Sequence, residues 1–224
     1  AALYSHLQAI SRVINSKNAL PILDCFLFEL QGDVLSITVS DSETTMKTSI
    51  PVQENSTEGK VAIAAKTLLD ALKEIPEQPL SFSVSKDSLE VKVTYQNGQY
   101  SLIGQNADEY PKCAELGANQ VGFVMGGETL LNGITRTVFA TTDDELRPVM
   151  NGVYFDITTD DITMVASDGH KLVRYQLKDV KGKERAAFIL PKKPANLLKN
   201  ILPKESGEVE IAFDERNAVF KLGN

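Results

Sequence analysis

The chain has 224 residues, 42% of them hydrophobic, enough to bury one or two ordinary cores. Its 30 acidic and 23 basic residues leave a formal net charge of -7, which excludes a protein that coats nucleic acid through a uniformly basic surface; any DNA contact must be confined to a local patch. Two cysteines are too few for a disulfide framework, and the apolar runs are strand-sized rather than membrane-spanning, so a cytosolic protein is the default.

Leu3, Leu7, Ile10 and Ile14 recur at helical spacing with Ser5, Gln8 and Arg12 opposite, which predicts an opening amphipathic helix docked on a sheet. Phe26-Leu27-Phe28-Glu29-Leu30 and Val34-Leu35-Ser36-Ile37-Thr38-Val39, joined across Gly32-Asp33, read as a strand, a turn and an alternating strand. Cys25 lies in that first apolar strand and reads as a buried, reduced thiol. A second helix carries Leu68, Leu69, Leu72 and Ile75 inward and Lys66 and Lys73 outward, and ends at Pro76. Strand-like runs follow at 89–93 and 99–103, and residues 107–120, with Tyr110-Pro111 and Gly117, form the expected interdomain link. Then come a strand at 121–125, a helix, strands at 153–157 and 162–166, a helix with Leu197, Leu198, Ile201 and Leu202 inward, and a strand at 218–222.

The second half of this series repeats the first. Leu20-Pro21-Ile22-Leu23-Asp24-Cys25-Phe26 lies over Arg147-Pro148-Val149-Met150-Asn151-Gly152-Val153, and the match continues without a gap to Ser40-Asp41 over Ser167-Asp168. Leu7, Ile10 and Arg12 match Leu131, Ile134 and Arg136; Lys66 and Lys73 match Lys192 and Lys199. The chain therefore reads as two copies of one α+β domain, over 1–118 and 119–224, each with two helices packed on antiparallel sheet. Copy one lacks a counterpart to the strand at 121–125, and copy two lacks one to the run at 99–103. A fragment of a longer protein is expected, with the first strand of one domain and the last strand or strands of the other missing.

The recurring cations on the outward helical faces admit two readings: ordinary solvated faces inherited by duplication, or a basic surface that follows a phosphate backbone. Nucleophile elbows, zinc-binding pairs and glycine-rich phosphate loops are not found, and His6 and His170 are the only histidines, so catalysis has little to stand on. Asp143-Asp144-Glu145 lacks the periodicity of a calcium loop and reads as solvated. Ser167-Asp168-Gly169-His170-Lys171-Leu172 reads on its chemistry as a hairpin turn, but copy one has Ser40-Asp41-Ser42-Glu43-Thr44 there, so the second turn has specialised.

The Leu20-Pro21-Ile22-Leu23 run after a basic loop, the Arg147–Val153 segment and Ser167-Asp168-Gly169-His170-Lys171-Leu172 together resemble the bacterial DNA polymerase III sliding clamp, the beta subunit, along essentially the whole chain. That family has three tandem copies of one domain, and the third is absent from this sequence. The resemblance implies the DNA clamp (processivity) fold and a ring of two head-to-tail protomers. It implies no enzymatic activity and no cofactor. Double-stranded DNA would be held by topology without sequence preference, with DNA polymerase III, other polymerases and the clamp loader as partners, in a bacterial, nucleoid-associated setting. Arg12, Lys17, Lys66, Lys73, Arg136, Lys192 and Lys199 would line the DNA channel. Met150, Ser167, Gly169, His170, Lys171 and Leu172 would form the second-domain half of a pocket for partner peptides. The family usually has Arg at Lys171; Lys keeps the charge without the planar fork. Tyr100 and Leu102 would sit at the dimer interface. The competing reading is a tandem-domain peptide-binding scaffold that never meets DNA.

Overall fold

The computed structural model describes residues 2–53 and 57–223, which divide into two compact units, Ala1–Cys113 and Ala114–Asn224. Unit 1 opens with α1 (Ala2–Ile10), followed by β1 (Cys25–Gln31), β2 (Val34–Ser40), β3 (Thr45–Pro51) and β4 (Gly59–Ala64). After α2 (Ala65–Glu74) come β5 (Ser81–Val84), β6 (Glu90–Tyr95) and β7 (Gly98–Ile103). The strands form two antiparallel sheets, ordered β3-β2-β1-β4 and β5-β6-β7. Gly32, at φ 53°, opens the two-residue turn between β1 and β2, where the right-handed strand twist favours a positive φ. α2 stops at Glu74 because Ile75, the residue before Pro76, is driven out of the helical region to ψ 121°.

The two helices of unit 1 pack on each other, α1 against β2 and β3 and α2 against β1 and β4. Leu7, Ile10, Leu68 and Leu72 are buried there with Phe26, Ile37 and Ile63. Phe28 meets Phe82 edge-on, with ring centroids 6.2 Å apart, tying β1 to β5 across the sheets.

Unit 2 runs β8 (Val121–Gly126), α3 (Gly127–Thr137), β9 (Gly152–Ile157), β10 (Ile162–Ser167), β11 (Leu172–Leu177), β12 (Ala186–Pro191), α4 (Lys192–Ile201), β13 (Glu208–Phe213) and β14 (Ala218–Leu222). Its four-stranded sheet, β11-β10-β9-β12, repeats the order of unit 1, with α3 on β10 and β11 and α4 on β9 and β12. Pro194 falls in the first turn of α4, where its missing N–H breaks no helical bond. Phe188 stacks on Phe155 at 4.7 Å and meets Phe213 at 4.5 Å, so one ring joins this sheet to the second, β14-β13-β8. Phe155 has no exposed surface, and burial of such a side chain contributes about 1.5–3 kcal/mol.

The structure corrects two expectations. The first helix ends at Ile10 and tightens into a 3-10 turn over Ser11–Val13, so Val13 completes the buried stripe and Ile14 is extended and only half-buried. Ala107–Tyr110 belongs to unit 1 rather than to a link, because Tyr110 is buried and its hydroxyl accepts the Ser40 amide at 2.9 Å. The four-stranded sheets correspond between the units, and the smaller ones differ at their edges, where the runs at 99–103 and 121–125 have no counterpart in the other copy. β5 and β6 correspond to β13 and β14; β7 then lies beyond β6 in unit 1, whereas β8 lies beside β13 in unit 2. Cys25 is buried, and burial, aided by the charge of Asp24, pushes its thiol up to about 11.

Candidate functional site

In unit 1, Arg12 is exposed in the 3-10 turn that follows α1, Lys17 lies exposed in the next loop, and Lys66 and Lys73 are exposed on α2. α2 also exposes Asp70 and Glu74, so its outward face carries no net charge. In unit 2, Arg136 is exposed in the last turn of α3, its guanidinium carbon 5.6 Å from the centre of the Tyr175 ring, within cation–π range. Lys199 is exposed on α4. Lys192, expected to face out, is half-buried instead: its ammonium pairs with both carboxylate oxygens of Asp143, at 2.7 and 2.8 Å. Asp143 and Glu145 remain exposed, as expected of a solvated run, while Asp144 is engaged by Arg147 at 2.8 Å.

The turn after β10 is built like the turn after β2. Asp168 accepts the His170 and Lys171 amides, each at 2.9 Å, as Asp41 accepts those of Glu43 and Thr44. Ser167 and Ser40 accept the amides of Gly169 and Ser42, and those two residues share a left-handed backbone, at φ 89° and 80°. The backbone has not specialised; the side chains have. The Lys171 ammonium pairs with Asp168 inside the turn, and this contact, with the two amides, holds the Asp168 carboxyl well below the usual carboxylate range. Arg147 donates to the Asp168 carbonyl at 3.3 Å, joining the turn to the 3-10 turn Pro148–Met150. Met150 is half-buried, and its carbonyl accepts the Thr142 amide at 3.0 Å. Leu172, Val149 and Leu146 are 67%, 66% and 90% exposed, so the apolar surface here is presented to solvent rather than forming a closed floor.

Tyr100 and Leu102 lie on β7, which ends its sheet, paired with Val93 and Val91. They share the core-facing side with those valines and are half-buried, while Ile103 is exposed. Among the described residues, no helix is long and apolar enough to cross a membrane, and no cluster of three or more His, Cys, Asp or Glu could hold a metal ion.

Residues 1–114 match the model of the DNA polymerase III beta subunit N-terminal domain, and residues 125–224 match that of its central domain. The chain belongs to the DNA polymerase III beta subunit family. It is 29% identical over 225 residues to the beta sliding clamp of Halalkalibacterium halodurans, covering 96% of this chain and 59% of that protein. It is 27% identical over 218 residues to that of Pseudomonas aeruginosa, with 96% and 59% covered. Among solved structures, the beta subunit from the DNA polymerase of Streptococcus pyogenes superposes with a TM-score of 0.92 at 21% identity, over 100% of this chain and 60% of that one. The sliding clamp of Bacillus subtilis does so at 0.90 and 24%, over 98% and 60%. At these identities the superpositions establish the fold, which is that of the beta subunit clamps, and the chain spans about three fifths of the length of these relatives.

Within this beta subunit fold, two contacts escaped the sequence reading. Arg147 entered the sequence as part of the Arg147–Val153 segment and as a repeat position where copy one has Leu20; that loss of equivalence was the signal for a role of its own. The Lys192–Asp143 pair joins residues far apart in the chain, and nothing local announces it.

Proposed function

We propose that this chain supplies two domains of a DNA sliding clamp, a non-enzymatic ring that encircles duplex DNA and keeps the replicative polymerase on it. The observation that carries this reading is the family membership of both units, joined to cations at matched helical positions in a chain of net charge -7. A locally basic lining inside an acidic shell holds phosphates loosely and permits sliding. Arg12, Lys17, Lys66, Lys73, Arg136, Lys192 and Lys199 are the proposed lining. Met150, Ser167, Gly169, His170, Lys171 and Leu172, with Arg147 steadying the turn, are the proposed half of a pocket that docks polymerase III, other polymerases and the clamp loader. Exposed Leu172 and Val149 support it, because an unburied apolar pair beside a rigid turn suits an anchoring side chain. Tyr100 and Leu102, on a strand that ends its sheet, are proposed for ring closure with a second copy. The working compartment would be the bacterial cytoplasm, at the nucleoid.

The test is retention on nicked circular DNA with clamp loader and ATP supplied, before and after the circle is cut. Retention that survives salt and is lost on linearisation supports encirclement; retention indifferent to cutting indicates ordinary electrostatic binding and sinks the ring. A second reading, a peptide-binding scaffold without DNA contact, is favoured by the engagement of Lys192 with Asp143 and by the acids Asp70 and Glu74 on the face of α2. No retention while a control clamp loads normally would select it.

A further inference from the structure

Unit 2 holds a groove of about 630 Å³ that neither the proposed DNA lining nor the peptide half-pocket uses. It lies on the solvent side of the β14-β13-β8 sheet, the side opposite buried Phe123, Met125 and Ile211. Gly122, Ala212 and Val219 stand in one cross-strand row and form a low apolar floor. A β-carbon at Gly122 would meet only the Ile211 carbonyl, at 3.7 Å, so nothing overhangs it. Val124, Glu210 and Lys221 stand in the next row.

Lys181 and Lys183 also line the groove, and the loop between β11 and β12 holds them in place. Gly182, between them, donates its amide to the Thr158 carbonyl at 2.8 Å, and a β-carbon there would stand 2.3 Å from Ile157 Cγ2, so only glycine fits this closely against the strand end. Leu116 is set on the groove by its neighbour Gly117, whose amide donates to Asp214 at 2.8 Å. Lys181, Lys183 and Lys221 form no ion pair with any described residue. Glu210 is the single carboxylate against these three ammonium groups. The local balance thus reverses the acidic character of the chain.

We propose that this groove docks an acidic peptide segment bearing an apolar side chain, its carboxylates reaching the three lysines and its apolar group lying on the Gly122–Ala212–Val219 floor. Complementary charge selects such a partner and rejects cationic ones. A phosphate backbone fits less well, because Glu210 stands among the lysines and Gly122, Ala212 and Val219 give the floor an apolar surface. The inference stands on unit 2 alone and does not depend on the ring.

The experiment titrates the protein into a fluorescein-labelled Glu-Glu-Leu-Glu-Glu-Leu peptide and follows anisotropy and amide chemical shifts. Binding is expected, with shifts at Gly122, Val124 and Ala212. The Lys181→Glu/Lys183→Glu variant should weaken it by about tenfold or more, and Val124→Asp, which places a charge beside the floor, should weaken it as well. Lys204→Glu, outside the groove, should leave it unchanged. No binding, shifts confined to other surfaces, or equal affinity for the double variant would overturn the proposal. So would displacement of the peptide from these residues by a short DNA duplex that binds more tightly, which would assign the groove to nucleic acid.

Discussion

Arg147 Nη1 stands 2.7 Å from the point a β-carbon on Gly169 would occupy, while the same guanidinium donates to the carbonyl of Asp168. A side chain at 169 would have to push aside that guanidinium, the end of a flexible and partly exposed side chain, whereas Ser42 holds the equivalent conformation in unit 1, where Leu20 stands in place of arginine. Gly169→Ser should therefore cost about 1–3 kcal/mol, part of it the left-handed backbone and part the displaced guanidinium. In an Arg147→Ala background only the backbone part, about 1 kcal/mol, should remain. Chemical denaturation of the two single variants and the double variant measures the coupling, and strict additivity would show that Arg147 does not set the requirement.

Tyr110 anchors the end of unit 1 from within. Its hydroxyl accepts the Ser40 amide at 2.9 Å and donates to the Cys25 carbonyl at 3.4 Å. Tyr110→Phe keeps the ring but strands a buried N–H, and should cost about 1–3 kcal/mol. Burial raises the phenol to about 12, from about 10 for a tyrosine in water. The folded form thus keeps a proton that the unfolded form gives up first. The contribution is complete below the unfolded value and is lost as pH rises through the folded one. Near-UV phenolate titration should show one of the six tyrosines ionising late, and the Phe variant should lack that step.

Gly133 lies inside α3, where alanine would normally stabilise a helix by about 1 kcal/mol. Packing reverses the sign: a β-carbon would stand 2.3 Å from Met164 Sδ and 3.2 Å from its methyl group. Gly133→Ala should destabilise unit 2 by about 1–3 kcal/mol. A double-mutant cycle with Met164→Ala, read by thermal unfolding, measures it, with Gly133→Ala expected to cost less in the Met164→Ala background than in the parent.

Asp143 occupies the ammonium of Lys192. Asp143→Asn should leave stability within about 0.5 kcal/mol of the parent, as for most exposed pairs. If Lys192 meets phosphate, the released charge should steepen the slope of log affinity against log salt by about one. An unchanged slope, measured by DNA titration at several salt concentrations, would remove Lys192 from the lining.

The duplication was legible because both copies keep the same apolar alternation, so the hairpins β1–β2 and β9–β10 and the inward leucines of α2 and α4 could be read from one another. The matching turns at Asp41 and Asp168 were legible for the same reason, since each places an Asp oxygen where two amides converge. What local pattern does not carry is contact between distant segments. Arg147 over Gly169 and Asp143 at Lys192 both depend on how loops fold back on the sheet, and the placement of Tyr110 depends on an amide in β2. The end of α1 was misjudged because Val13 and Ile14 are both apolar, and the tighter 3-10 turn decides which of them is buried.

The pairing of β8 with β13 has a kinetic consequence. β8 precedes the rest of unit 2 in leaving the ribosome, yet its ladder partner is β13, and α3, α4 and the whole four-stranded sheet are synthesised in between. The meander β9-β10-β11 closes through short local loops and can form early, whereas β8 must wait for a contact of high sequence separation. Until β13 arrives, the core side of β8, with Phe123 and Met125, lacks the strand that covers its edge. Pairing of β8 is therefore a late event in synthesis, and until it happens the nascent chain carries an unpaired strand edge open to aggregation and proteolysis.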